Sequence, residues 1–203
     1  MQNIREKQMW FIDFLYEEDV IYSFEYDDYN KDTLIKEAES RIYHAYGANK
    51  NDEGADKGWF RKVNSFSLEN WKQAKFLHED NNGEDWLENY PETNRITQHF
   101  KNIIGCNDIR PRFYILDANT SVPEHTDQNT QCGINIILSD DPGPVRFKMA
   151  GEFFYKTALL NVSETHDVPA WPGQDRLLLK ISIMDVDFRT AKEKLKNDYR
   201  NRC

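Results

Sequence analysis

A chain of 203 residues is long enough for one domain with a sizeable core. Its 26 Lys and Arg against 35 Asp and Glu give a formal charge of −9, which argues against a general nucleic-acid binder, because phosphate binding wants a basic footprint. The cysteines Cys106, Cys132 and Cys203 are odd in number, widely spaced and form no CxxC, which argues against a disulfide scaffold or a zinc finger.

The opening stretch MQNIREKQMWFIDFLYEEDVIYSF is interrupted by Arg5, Glu6, Lys7, Asp13, Glu17, Glu18 and Asp19. No signal-peptide core or membrane span survives those charges, so a soluble, cytoplasmic protein is expected. Tyr22 to Tyr26 alternates and predicts a strand. Asp32 to Tyr43 has a capping start and helical spacing of its apolar residues. GANKNDEGADKG, Gly47 to Gly58, reads as a polar loop. ENWKQAKFL, Glu69 to Leu77, is a second helix candidate. Thr93 to Ile104 is a third, with Ile96, Phe100, Ile103 and Ile104 on one side and Gly105 as its stop.

Near Arg110 the texture changes to short strands separated by turns. Strands are expected at Arg112–Asp117, Ile134–Leu138, Val145–Met149, Ala158–Val162 and Arg176–Met184, with a strong turn at Asp140–Pro144. Such spacing predicts a β-sandwich or barrel, buttressed by the helices that precede it. The charged tail from Thr190 to Asp198 reads as helical.

The chemistry concentrates in VPEHTD. On a strand, residues two apart share a face, so His125 and Asp127 present an imidazole and a carboxylate together. That is two-thirds of a two-histidine, one-carboxylate metal site of the kind used by non-haem Fe(II) oxygenases. Alone the pair reads more readily as a polar turn. His166, in SETHDVP, follows the run ALLNV and suits the third ligand position. Arg176 lies ten residues further on, at the head of the last long strand, where its planar fork could hold a cosubstrate carboxylate. His78-Glu79-Asp80 is a second His-x-Asp, but in a helical context residues two apart do not share a face, so it is read as solvated surface. Asp167 is expected to be exposed, Trp171 to be a loop anchor or a wall of the substrate entrance, and Tyr155 and Asn161 to be structural or to be partners that orient ligands.

With these residues in place, the segment from Arg112 to Asp187 resembles the double-stranded β-helix core of the Fe(II)/2-oxoglutarate-dependent dioxygenases. Within that superfamily it is most similar to aspartyl/asparaginyl β-hydroxylase-like proteins, through RFYILDANTSVPEHTD and through ALLNVSETHDV with its later arginine. The resemblance implies an α+β fold: a jelly-roll, cupin-like core over residues 106–188, mostly helical support with the first strands over 1–105, and a C-terminal helix or tail over 189–203, all in a single domain. It implies Fe(II) on His125, Asp127 and His166, with 2-oxoglutarate on Arg176 and O2 as the oxidant. Many relatives carry a Ser two residues after the cosubstrate arginine, where this chain has Leu178. Tyr114, Asn135 or Ser182 would then assist the cosubstrate. The expected activity is hydroxylation of a peptide, amino-acid-like or small-molecule substrate. The competing readings are a cupin-like metal enzyme without 2-oxoglutarate, which usually needs more histidines, and a non-catalytic β-sandwich binding module.

Overall fold

A computed structural model of the chain describes residues 18–40, 44–45, 71–75 and 89–202. The loop expected from Gly47 to Gly58 and the second His-x-Asp at His78 lie outside these residues.

The elements in chain order are β1 (Ile21–Ser23), α1 (Lys31–Glu39), β2 (His44–Ala45), β3 (Trp71–Lys75), α2 (Pro91–Ile104), β4 (Ile109–Leu116), β5 (Val122–His125), β6 (Cys132–Ile137), β7 (Val145–Phe147), β8 (Gly151–Phe153), β9 (Thr157–Leu160), β10 (His166–Val168), β11 (Arg176–Ile183) and α3 (Phe188–Arg202). The strands form two antiparallel sheets: a large one in the order β1-β9-β6-β11-β4-β3-β2, and a small one in the order β5-β10-β7-β8. The result is an α+β fold built on a double-stranded β-helix. Among the described residues no helix is long and apolar enough to cross a membrane.

Each face of the large sheet is covered. On β11, Leu179, Ile181 and Ile183 face the helices, where they join Phe113, Ile134, Ile136 and Leu159 from neighbouring strands. Ile96, Phe100 and Ile104 of α2, Leu34 and Ala38 of α1, and Phe188, Ala191 and Leu195 of α3 close over them. Each such side chain removed from water contributes roughly 1.5–3 kcal/mol. The alternate residues, including Tyr114, Leu116, Ile137 and Leu178, turn inward toward Val122 and Val168 of the small sheet. On β11 apolar residues stand on both faces at Leu177–Leu179, and beyond them Lys180 and Ser182 of the inner face alternate with Ile181 and Ile183 of the helix face.

The helix ends follow local chemistry. The Asn30 side chain accepts from Thr33 N at the start of α1. Asp187 accepts from the backbone and hydroxyl of Thr190 at the start of α3. In α2, Pro91 sits in the first turn and Gly105 ends the helix at φ 66°, donating its N–H to Lys101 O. Tyr90 offers α2 no side-chain cap. The buried Glu37 carboxylate of α1 does that work instead, accepting from Glu92 N, Thr93 N and the Thr93 hydroxyl at 2.6–2.9 Å.

One expected element changes type. Glu69 to Leu77 reads as a helix, but Trp71–Lys75 is strand β3, paired with β4 from Trp71↔Leu116 to Lys75↔Arg112. A nine-residue helix is marginal without packing, and the open edge of β4 supplies a full ladder of backbone partners.

Candidate functional site

The site lies between the two sheets. His125 ends β5 and His166 opens β10, directly opposite each other in the ladder. Their ring centroids are 4.4 Å apart. Asp127 falls two residues past the end of β5, where its N–H bonds to Val162 O at 2.9 Å and turns the carboxylate back toward the rings. Donor atoms of His125, Asp127 and His166 all lie within 4.8 Å of one another. Asp127 Oδ1 stands 3.5 Å from His125 Nε2, with side chains only 15% and 7% exposed.

Both imidazoles are oriented the same way. His125 Nδ1 lies 2.8 Å from Pro123 O, and His166 Nδ1 lies 2.8 Å from Glu164 O. A carbonyl only accepts, so each Nδ1 carries the proton and each Nε2 keeps its lone pair for the cluster. This backbone fixing of the tautomer is the usual support of metal-binding histidines. Burial, then the neighbouring His125, pushes His166 down to about 4, so it is neutral near pH 7. Burial pushes Asp127 up, but the Lys180 ammonium and the two histidines outweigh it and hold its carboxyl well below the usual range. A buried N,N,O set with lone pairs converging and the carboxylate ionised fits a divalent metal.

The large sheet contributes the cations. Arg176, Leu178 and Lys180 alternate along the inner face of β11 and line the cavity that also holds His125 and His166. Arg176 is 5% exposed and pairs with no carboxylate among the described residues. Its Nη1 donates to the carbonyls of Pro142, Gly143 and Pro144 at 3.0–3.1 Å, and its Nη2 donates to Tyr155 Oη at 3.0 Å. The carbonyl cradle depends on Gly143, at φ 68°, where a Cβ would sit 2.5 Å from Trp171 Cγ. Trp171 anchors that loop by donating to Asp141 Oδ1 at 3.1 Å.

Of the residues expected to help Arg176, Asn135 and Tyr114 line the cavity. Asn135 Nδ2 donates to Tyr155 Oη at 2.9 Å, so it reaches Arg176 through that tyrosine. Ser182 shares the inner face of β11 but lies beyond Lys180 and does not line the cavity. Two buried polar atoms here have no protein partner, Asn135 Oδ1 and Arg176 Nε. Asp167, expected to be exposed, is buried, because Arg146 on the neighbouring strand β7 holds it through hydrogen bonds of 2.5–3.2 Å. His99 stacks on Tyr26, and among the described residues the cluster consists of His125, Asp127 and His166.

Sequence reasoning missed Lys180 and left Tyr155 open between a structural and an orienting role. Lys180 donates to Asp127 Oδ2 from the opposite sheet. Burial disfavours its charge, but Asp127 and then Tyr114 outweigh that and raise its pKa. The available signal was a lone charge inside an apolar strand. Tyr155, between β8 and β9, bridges Arg176 and Asn135; no local pattern marks it.

Fold and site together define a double-stranded β-helix protein with a two-histidine, one-carboxylate cluster. No protein-family model matches the chain, and no curated protein matches it significantly. Solved structures do. The viral collagen prolyl hydroxylase of Paramecium Bursaria Chlorella virus-1, in a 2OG complex, aligns over 82% of this chain and 97% of its own with TM-score 0.50 and 9% identity. An oxidoreductase of the 2OG-Fe(II) oxygenase family from Burkholderia pseudomallei aligns over 81% and 94% with TM-score 0.44 and 13% identity. The chain spans only 44% of the matched chain from the Rhodobacter sphaeroides SigE complex with the anti-sigma ChrR, at TM-score 0.33, 14% identity and 56% of its own length. At these identities the likeness is one of fold.

Proposed function

We propose that this chain is an Fe(II)- and 2-oxoglutarate-dependent dioxygenase, a hydroxylase of a peptide, amino-acid-like or small-molecule substrate. The observation that carries the reading is the joint cavity: His125 and His166, clustered with Asp127, line it together with the buried Arg176 guanidinium, which has no acid partner among the described residues. A buried charge without a counter-ion is costly, so Arg176 calls for an anion. The shared fold of the viral prolyl hydroxylase is consistent with the same chemistry. The similarity of VPEHTD and ALLNVSETHDV to β-hydroxylase-like proteins tilts the substrate toward a peptide or amino acid. The domain division follows the same reading: one domain, with a core over 106–188.

His125, Asp127 and His166 would hold Fe(II), which when bound supplies the activation of O2. The balance is substrate C–H, O2 and 2-oxoglutarate giving the alcohol, succinate and CO2. The protein's part is to bind and orient. Tyr155 Oη accepts from Arg176 Nη2 and from Asn135 Nδ2, two nitrogens that only donate, so its own O–H proton is left to meet an acceptor in the cavity. Arg176 and Tyr155 together would hold the far carboxylate. Leu116, Val122, Val168 and Leu178 give the cavity apolar walls that disfavour water.

The test is 2-oxoglutarate turnover to succinate by protein loaded anaerobically with Fe(II) and then exposed to air, with and without candidate peptides. Turnover lost in His125→Ala is expected. Absence of both turnover and metal binding in the wild type would sink the reading.

A further inference from the structure

We infer that Lys180 is the residue that receives the metal-side carboxylate of a bound 2-oxo acid, and that through its bond to Asp127 it also limits that ligand to one coordinating oxygen. The inference rests on the metal reading above. Its first support is position. Lys180 lies four residues from Arg176 on the same face of β11, which separates their backbones by about 13 Å along the strand. The two cations therefore mark opposite ends of one cavity, Arg176 against the Pro142–Pro144 loop and Lys180 against Asp127. A short dicarboxylate with extended side chains reaching for it spans that interval.

The second support is how the carboxylate is divided. Asp127 Oδ2 takes the Lys180 ammonium, while Oδ1 faces His125. One oxygen held by a cation leaves one for a metal, and Lys180 stays beside the metal position instead of having to leave it.

The third is charge. The Lys180 side chain is 14% exposed, and Asp127 is its carboxylate partner among the described residues. One carboxylate, Asp127, faces Arg176 and Lys180, with Arg112 opposite Lys180 in the ladder, so the site carries an excess of positive charge within largely apolar walls. A divalent metal adds two more. Uncompensated buried charge is expensive, and a dianion returns the cavity to its metal-free balance. A purely structural lysine would tie the sheets together through Asp127 and have no part in anion binding.

The experiment titrates Co(II)-loaded protein, without O2, with 2-oxoglutarate and with 2-oxopentanoate, which shares the 2-oxo carboxylate and lacks the far one. Calorimetry gives the affinities, and the Co(II) absorption spectrum reports the metal. In Lys180→Met both ligands should weaken by the same factor, about ten-fold or more, while Co(II) is held as well as in the wild type or better. In Arg176→Met only 2-oxoglutarate should weaken, falling to the level of 2-oxopentanoate. Lys180→Gln keeps a donor for Asp127 without the charge and carries the same expectation if Lys180→Met does not fold by circular dichroism. Unchanged ligand affinity in the Lys180 variants overturns the inference while leaving the metal reading intact. So does weakening confined to 2-oxoglutarate, or loss of Co(II) from a folded variant. Wild-type protein that holds no Co(II), or holds it equally in His125→Ala, overturns the metal reading and this inference with it.

Discussion

His166 shows how a residue's surroundings set its chemistry. It is 5% exposed, tied through Nδ1 to Glu164 O and faced by a second imidazole, so its proton affinity drops to about 4 from an ordinary 6.5. Below pH 6.5 the unfolded chain takes up a proton that the folded chain refuses, and stability falls until the folded group itself titrates near 4. Metal-stripped protein should therefore lose up to about 3 kcal/mol between pH 6.5 and 4, read from urea denaturation at a series of pH values. His166→Asn should flatten that slope; an unchanged slope would assign the proton to another group. The residues at this scale differ in how visible they were. His125, Asp127, His166 and Arg176 could be singled out by residue type and spacing, although Asp127 lies past the end of β5, and its bond to Val162 O, not strand alternation, turns it toward the rings. Lys180 was marked as a charge alternating with isoleucines, but its partner Asp127 comes from the turn after β5 across the cavity, and nothing local to β11 reports that pairing. Tyr155 reaches Arg176 only through the fold of the β8–β9 connection.

Among the elements, α2 was legible to within two residues of its start, and its end at Gly105 as well, because apolar spacing and a left-handed stop are local signals. What holds its beginning is not local. Tyr90 cannot cap, and Glu37 satisfies Glu92 N, Thr93 N and the Thr93 hydroxyl from a helix more than fifty residues earlier in the chain. Hydrogen bonds to a charged group each contribute about 1.5–3 kcal/mol when the partner would otherwise be left unsatisfied. Glu37→Ala should lower stability by about 2–4 kcal/mol, a shift in denaturant midpoint with an unchanged slope, and Glu37→Gln should cost less. A cost within about 0.5 kcal/mol for Glu37→Ala would show that water caps α2 equally well. Strand β3 failed for the converse reason: its partner, the edge of β4, lies some forty residues away, and nothing within Glu69 to Leu77 reports that edge.

At the scale of the molecule, the two sheets divide the labour. The three candidate metal ligands belong to the small sheet and the turn after β5, whereas Arg176, Lys180 and Asn135 come from the large one. The small sheet is the weaker partner: its strands run to three or four residues, and the β5–β10 register shifts between His166 and Val168. A metal bound by His125, Asp127 and His166 would clamp that irregular ladder, and because the unfolded chain has no assembled site, binding adds directly to folding free energy. At a hundred times its dissociation constant, a metal should add about 2.7 kcal/mol, or roughly 5–10 °C in Tm for a chain of this size. A chelator should reverse the shift, and His125→Ala and His166→Asn should abolish it. A 2-oxo dicarboxylate reaching from the cluster to Arg176 would join one sheet to the other, so it should raise Tm further in metal-loaded protein and much less in metal-free protein. Equal shifts with and without metal would mean that the anion binds to the cations of the large sheet alone.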